Sequence, residues 1–202
     1  MPGLADRLGG PVLQVAPLLL GAVIRHRTGE GVVAIRLTEV EAYDGDQDPG
    51  SHAYRGRTRR NAVMFGPAGH AYVYFTYGMH HCMNVVCGPE GRASAALMRA
   101  GEVVEGIDLA RVRRHGIRDR DLARGPARLC SALGITLADN GADLDPETGA
   151  LTLELGTPLG PEQIGTGPRV GLRHGADRRW RFWHSGHPTV STYRPAKTLP
   201  PR

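Results

Sequence analysis

Between His70 and Arg99 the chain carries three β-type runs joined by connections too short to hold a crossover helix. His70–Tyr77 is rich in aromatic residues, Gly78-Met79-His80 can turn it into Cys82–Cys87, and Ala93–Arg99 follows as another strand. Short connections make neighbouring strands run antiparallel, so this region predicts an antiparallel meander. Earlier, Ala22–Arg27 and Gly31–Tyr43 read as strands split by the turn Thr28-Gly29-Glu30. Later, Leu151–Leu155, Arg169–Leu172 and Arg181–Trp183 read as strands. Helices are fewer. Val12–Leu20 reads as a short apolar helix or a turn-broken segment, interrupted at Pro17. Val103–Arg114 reads as a helix with Val103, Val104, Ile107 and Ala110 near one face. Pro126–Leu133 has proline at its start and Gly134 just past its end, the usual asymmetry of a helix. The expected fold class is α+β: a single domain over residues 1–202 with a curved, barrel-like antiparallel β-sheet, flanking helices and a protruding β-hairpin. Asp44–Arg60 is a long polar loop, of the kind that often carries function. The proline-bearing tail Arg194–Arg202 reads as loose.

Bulk properties narrow the partners. No run of about 18 apolar residues is present, so no transmembrane helix is expected. The start Met1-Pro2-Gly3-Leu4-Ala5-Asp6 lacks the basic and apolar regions of a signal peptide, and a cytoplasmic location is expected, nucleoid-associated in a bacterium. Cys82, Cys87 and Cys130 cannot all pair and form no Cys-x-x-Cys, which suggests neither a disulfide framework nor a zinc site. The net charge is +5 and the pI about 9.5, which suits a polyanion. Lys197 is the only lysine, so the basic count is nearly all arginine. Guanidinium forks match phosphates and base edges, although a biased genome gives the same excess.

Several side chains are placed for chemistry. On a strand, Glu39, Glu41 and Tyr43 share one face while Val40 and Ala42 take the other. Two carboxylates and an aromatic leading into a polar loop form a candidate site; a half-exposed strand with a solvated face has the same pattern. Tyr72 and Tyr74 point one way, Phe75 and Tyr77 the other. Tyr77, where the strand turns, can project from the hairpin with Met79 beside it as a wedge for a base stack. Tyr74 can stack on an extruded base, or the run can be an aromatic core strand. His80 and His81 are adjacent on a strand and face opposite sides, which disfavours a shared metal ion. Asn84 and Arg99 are polar residues inside apolar runs, and each needs a partner if buried.

Taken in order, these segments resemble the alkyladenine (3-methylpurine) DNA glycosylase family. The resemblance is carried by Thr38-Glu39-Val40-Glu41-Ala42-Tyr43, Ser51-His52-Ala53, Thr58-Arg59-Arg60-Asn61-x-x-Met64-Phe65, Tyr72-Val73-Tyr74-x-x-Tyr77-Gly78-Met79 and Cys82-Met83-Asn84. It continues through Leu97-Met98-Arg99-Ala100, Gly125-Pro126-x-x-Leu129 and Asn140-Gly141-x-Asp143-Leu144, covering about Ala16 to Val190. It implies that Glu41 is the general base for the attacking water and that Arg99 helps hold that water and the carboxylate. It implies that Tyr43, His52 and Tyr74 sandwich a flipped base, and that Asn84 disfavours the exocyclic amine of normal guanine. Tyr77 would fill the gap left in the duplex. The loop bearing Arg55, Arg57, Arg59 and Arg60 departs from the family in spacing, and Glu39 fits the pattern without a role.

The implied reaction is excision of alkylated or deaminated purines from double-stranded DNA. A Glu-activated water would hydrolyse the N-glycosidic bond and leave an abasic site. No cofactor is called for, no membrane is involved, and a monomer is expected. A non-catalytic nucleic-acid-binding module is the alternative, since the implied fold is also similar to the RNA-binding carboxy-terminal domain of methionyl-transfer-RNA formyltransferases. A helix-hairpin-helix glycosylase is disfavoured, because no Leu-Pro-Gly-Val-Gly-like hairpin precedes a catalytic Asp.

Overall fold

One long strand, β2 (Gly31–Tyr43), organises the fold in a computed structural model that describes residues 2–196. Along one edge β2 pairs with β5 (Ala95–Glu105). Its other edge is shared: β1 (Val23–Thr28) pairs with Gly31–Arg36, and β8 (Arg181–His184) pairs with Glu39–Glu41. The changeover falls at register shifts between Leu37 and Val40. A β-bulge flips the faces of everything beyond it. Ile35 and Leu37 face the main core before it, and Val40 and Ala42 do so after it. Unbroken alternation would have put Glu41 and Tyr43 in that core.

The sheet is antiparallel throughout, in the order β3-β4-β5-β2-β1-β6, with β7 (Ile164–Gly167) joined through β8. Here β3 is Ala71–Thr76, β4 is His80–Val86 and β6 is Leu151–Glu154. It curves but stays open rather than closing into a barrel. The outer edge of β3 is covered: Ala71 N–H donates to Ala142 O, and Val73 N–H to Asn140 Oδ1 at 3.0 Å. Such cover blunts an edge that would otherwise invite pairing.

Among the described residues four α-helices, α1 (Leu4–Leu8), α2 (Val12–Leu18), α3 (Ile107–Arg113) and α4 (Pro126–Leu133), accompany the sheet. Leu8, Leu19, Leu129 and Leu133 meet Ile24, Ile35, Leu37 and Met98 in the main core, all essentially inaccessible. Burial of each such side chain stabilises the fold by about 1.5–3 kcal/mol. A second cluster of Ala53, Met64, Tyr72, Val86, Ala93 and Ala95 folds the polar loop onto the sheet.

The hairpin, the long strand and the helix at Pro126–Leu133 agree with the sequence expectation. Three segments differ. The expected helix Val103–Arg114 begins as strand: Ile35 pairs with Val103 and Ala34 with Glu105, and α3 starts only after Gly106. Ladder bonds to β2 outweigh the helical pattern for these β-branched residues. Gly106 has φ 72°, and a Cβ there would collide with the Val32 carbonyl oxygen, so the strand can end only on glycine. Arg169–Leu172 is not a strand; the strand is Ile164–Gly167, and Pro168 lacks the N–H that would extend the ladder. At the start of the expected loose tail, Arg194 O accepts a hydrogen bond from Gly171 N–H at 2.9 Å. The remainder of that tail, residues 197–202 with Lys197, lies outside the described residues. Among the described residues no helix is long and apolar enough to cross a membrane.

Candidate active site

Strand register sets a row of functional side chains across the sheet face opposite the main core. Tyr72 lies opposite Asn84, Tyr74 opposite Cys82, Asn84 opposite Leu97, and Leu97 opposite Glu41. Side chains two apart on a strand share a face, which adds Arg99 beside Leu97 and Tyr43 beside Glu41. These residues line a cavity of about 360 Å³, completed by His52, Tyr77 and the Val170–Leu172 segment. That volume is typical of a site for one small molecule or one base. Of the residues to which the sequence reading gave a role, Glu41, Tyr43, His52, Tyr74, Tyr77, Asn84 and Arg99 line this cavity and Met79 does not; Glu39, singled out without a role, also lies outside the lining.

At the floor, Glu41 is fully buried. Its Oε2 accepts a hydrogen bond from Tyr43 Oη at 2.9 Å, its Oε1 accepts one from Val170 N–H at 2.7 Å, and Arg99 Nη1 stands 3.6 Å from Oε1. Burial pushes its carboxyl above the ordinary range; Arg99, the Val170 amide and the Tyr43 hydroxyl pull the other way. Burial also raises the Tyr43 phenol well above its usual value, followed by the repulsion of Glu41. Tyr43 therefore stays protonated and keeps donating to the carboxylate.

Glu39 is equally buried but does not line the cavity. Its Oε1 accepts from Arg99 Nε (2.9 Å), Arg181 Nε (2.6 Å) and Ser191 Oγ (2.9 Å), and its Oε2 from Ser191 N–H (2.6 Å). The expectation that Glu39 and Glu41 share a face holds as far as Arg99, which bridges both. Glu39 is a structural hub and Glu41 faces the cavity.

The walls are aromatic. His52 and Tyr74 meet edge to face with centroids 4.6 Å apart, and His52 Nδ1 is 3.1 Å from Tyr72 Oη. Burial, then the nearby Arg60, hold His52 below the ordinary imidazole range, so its ring is neutral near pH 7. Asn84 is buried and donates Nδ2–H to Tyr72 O at 3.2 Å. At the rim, Tyr77 and Gly78 have positive φ, 53° and 66°, within the three-residue connection Tyr77–Met79 between the paired Thr76 and His80. Tyr77 is 87 % exposed and Met79 68 % exposed.

Sequence reasoning missed what stands behind Tyr43. Arg169 is fully buried, with its guanidinium 4.6 Å from the Tyr43 ring centroid and 5.2 Å from that of Trp180. It pairs with buried Asp48, with Nη2 2.7 Å from Oδ1, and donates to Ala42 O at 2.8 Å. The pair pins the polar loop and the Val170 segment to β2. Nothing in the sequence separates Asp48 from Asp44 and Asp46. Arg169 and Arg181 could have been singled out by the argument that found Arg99, charges inside β-type runs.

A family model described as methylpurine-DNA glycosylase matches residues 6–188. A Streptomyces avermitilis protein named "Putative 3-methyladenine DNA glycosylase" is 62 % identical over 187 residues, covering 91 % of this chain and 88 % of that protein. Proteins of the same name from Leifsonia xyli and Mycobacterium leprae are 56 % and 49 % identical. They cover 90 % and 97 % of this chain, and 88 % and 91 % of their own lengths. The chain belongs to the methylpurine-DNA glycosylase family.

Proposed function

We propose that this chain, acting as one domain and as a monomer, is a monofunctional DNA glycosylase. It extrudes an alkylated or deaminated purine from duplex DNA and hydrolyses its bond to deoxyribose. The observation that carries the reading is Glu41, a buried carboxylate at the floor of an aromatic cavity of about 360 Å³. A non-catalytic binder has no use for a charge held there against its desolvation cost.

The base enters between Tyr43 on one side and Tyr74 with His52 on the other. Electron-rich rings favour a cationic alkylpurine, and a neutral His52 adds no repulsion. As the C1′–N bond breaks, its electron pair leaves with the purine and positive charge builds on the sugar. The Glu41 carboxylate stabilises that charge and takes a proton from the water whose oxygen bonds to C1′. A raised carboxyl pKa makes Glu41 a stronger base, while Arg99, the Val170 amide and the Tyr43 hydroxyl favour its ionised form. An alkylated purine is already cationic and leaves neutral. Asn84 crowds the amino-bearing edge of guanine and disfavours that common base. Tyr77, with Met79 beside it, fills the gap in the duplex and offsets an unstacking cost of a few kcal/mol.

Release of free base from duplexes carrying 3-methyladenine, 7-methylguanine, hypoxanthine or ethenoadenine tests the activity. No release from any of them leaves only the binding module. Borohydride added during turnover tests the hydrolytic route. A lyase attacks the sugar with an amine and is trapped as a covalent adduct, whereas this chain is expected to yield none.

A further inference from the structure

Beside the aromatic cavity lies a second one of about 290 Å³, lined by Arg99, Arg124, Gly125, Arg128, Val170 and Arg194 among others. Arg99 and Val170 line both cavities, so the two share a wall at the Glu41 carboxylate. The charges in the second cavity are unbalanced. Arg99 is paired with Glu39 and Glu41. Arg124 is partly neutralised by Asp121 at 3.2 Å, and its Nε donates to Val190 O at 2.9 Å. Arg128 and Arg194 have no acidic partner among the described residues. The backbone at Arg194 is anchored beside the cavity, because its carbonyl accepts from Gly171 N–H.

We infer that this cavity is a phosphodiester site: it holds one of the two backbone phosphates attached to the sugar of the extruded nucleotide, with Arg128 and Arg194 as its charged ligands. The inference rests on the glycosylase reading of the neighbouring cavity. With the base against Tyr43 and Tyr74, and Glu41 beside the C1′–N bond, the sugar stands near the shared wall. The phosphates on either side of that sugar are the nearest anions the substrate carries. Guanidinium groups are matched to phosphate oxygens in geometry as well as charge. Arg99 is already committed to two carboxylates, which leaves Arg128 and Arg194 to neutralise an incoming charge. The site would do more than add affinity. A phosphate gripped one sugar away from the bond to be broken fixes where C1′ sits relative to Glu41.

The test uses the full chain, lesion duplexes, and duplexes in which either phosphate flanking the lesion is replaced by a neutral methylphosphonate. For the wild-type protein, one of the two replacements is expected to weaken binding about 10- to 100-fold, the range for losing charge-assisted hydrogen bonds. It should also reduce the slope of log K against log salt by about 0.9. The Arg128→Ala/Arg194→Ala protein should show the same loss and slope change on the all-phosphate duplex, and no further loss with that methylphosphonate. Both side chains are exposed, so an unchanged melting temperature is expected. Wild-type affinity and slope in the double variant would overturn the assignment. So would indifference of the wild-type protein to both replacements, or a full methylphosphonate penalty in the double variant. Failure to release base from any lesion duplex ends the glycosylase reading and this one together. Base release with unaltered binding in the double variant ends only this one.

Discussion

At the cavity floor Glu41 is buried and takes two hydrogen bonds, whereas at the hairpin tip Tyr77 is 87 % exposed and sits in the left-handed backbone region at φ 53°. The floor is held by groups that converge from β2, β5, β8, the Asp48 loop and the Ser191 segment. The tip is held by a three-residue connection in which Met79 N–H donates to Thr76 O at 3.2 Å, with Arg60 Nη2 donating to Phe75 O at 3.2 Å beside it. A general base has to stay within a fraction of an ångström of its water, and only an over-determined network does that. A wedge has to enter a base stack, so its side chain cannot be committed to the protein's own interior. Strain at a functional tip persists because the two strands below it dictate the turn.

The largest effects separate the two buried carboxylates at the floor. Glu41→Gln is expected to slow single-turnover excision roughly 10²–10⁴-fold, the range for losing a general base, with duplex affinity nearly unchanged. Glu39→Gln removes the shared counter-charge of Arg99 and Arg181, and breaking a buried pair from one side costs about 3–5 kcal/mol of stability. Its signature is a lowered melting temperature, with residual excision in the fraction still folded. If Glu41→Gln excised like wild type while Glu39→Gln was stable and inactive, the two roles would have to be exchanged.

At the tip the effect moves from chemistry to binding. Tyr77→Ala is expected to weaken binding to a lesion duplex roughly 10- to 100-fold, since the wedge offsets unstacking worth a few kcal/mol. Excision of a base presented already extruded, opposite a gap, should be nearly unaffected. A chemical step slowed equally on both substrates would mean that tip and floor are not separable. On the wall between them, Asn84→Ser should raise excision of undamaged guanine roughly tenfold, the scale of one steric contact in a pocket. Unchanged guanine excision would remove Asn84 from that role.

A smaller effect sharpens the account of the floor. In the proposed mechanism excision needs ionised Glu41, and burial raises its pKa. The rate should therefore fall on the acid side, at a pH above that of a free carboxylate. The Tyr43 hydroxyl donates to the ionised form and lowers that pKa. Tyr43→Phe removes this hydrogen bond, so the Glu41 pKa rises further and the acid limb moves to higher pH. A limb that stayed in place would show that a different group governs it.

The contrast between floor and tip also explains what could be read from the sequence. The tip is local. Tyr77-Gly78 between two β-type runs announces a hairpin, and its projection follows from the turn. The aromatic wall is nearly local, because alternation along β3 places Tyr72 and Tyr74 together. Glu41 and Tyr43 were found by the same rule, but for an incomplete reason: alternation relates them to each other, and the bulge before Val40 decides which way they face. That bulge leaves no mark in the sequence. The partners of Glu41 and Glu39 come from far along the chain, 129 residues away for Val170 and 152 for Ser191. Both of these contacts are made by backbone amides, which have no sequence signature at all. Arg99 was legible because a charge inside an apolar run demands a partner. Its partners were not, since any of several carboxylates would have met that demand. The helix expected at Val103 failed for a related reason, as pairing with β2 is a tertiary fact that local periodicity does not contain.

The smallest expected effect sets stability against function at the tip, and compares Tyr77→Gly with Tyr77→Ala. Both substitutions remove the wedge, and both should weaken lesion binding alike. They differ in the backbone. A residue with a Cβ in the left-handed region carries about 1–2 kcal/mol of strain, which glycine does not. Glycine in turn makes the unfolded chain more disordered, which offsets about 0.4–1 kcal/mol of that gain. Tyr77 is too exposed for its side chain to contribute much to folding. Tyr77→Gly is therefore expected to be more stable than wild type by roughly 0.5 kcal/mol, and Tyr77→Ala to be no more stable than wild type. Urea melts with a common m-value resolve the difference. At the floor no such separation is expected, because the same hydrogen bonds that would position Glu41 in the proposed reaction also hold the fold. A Tyr77→Gly protein less stable than Tyr77→Ala would mean that the turn carries no such backbone strain.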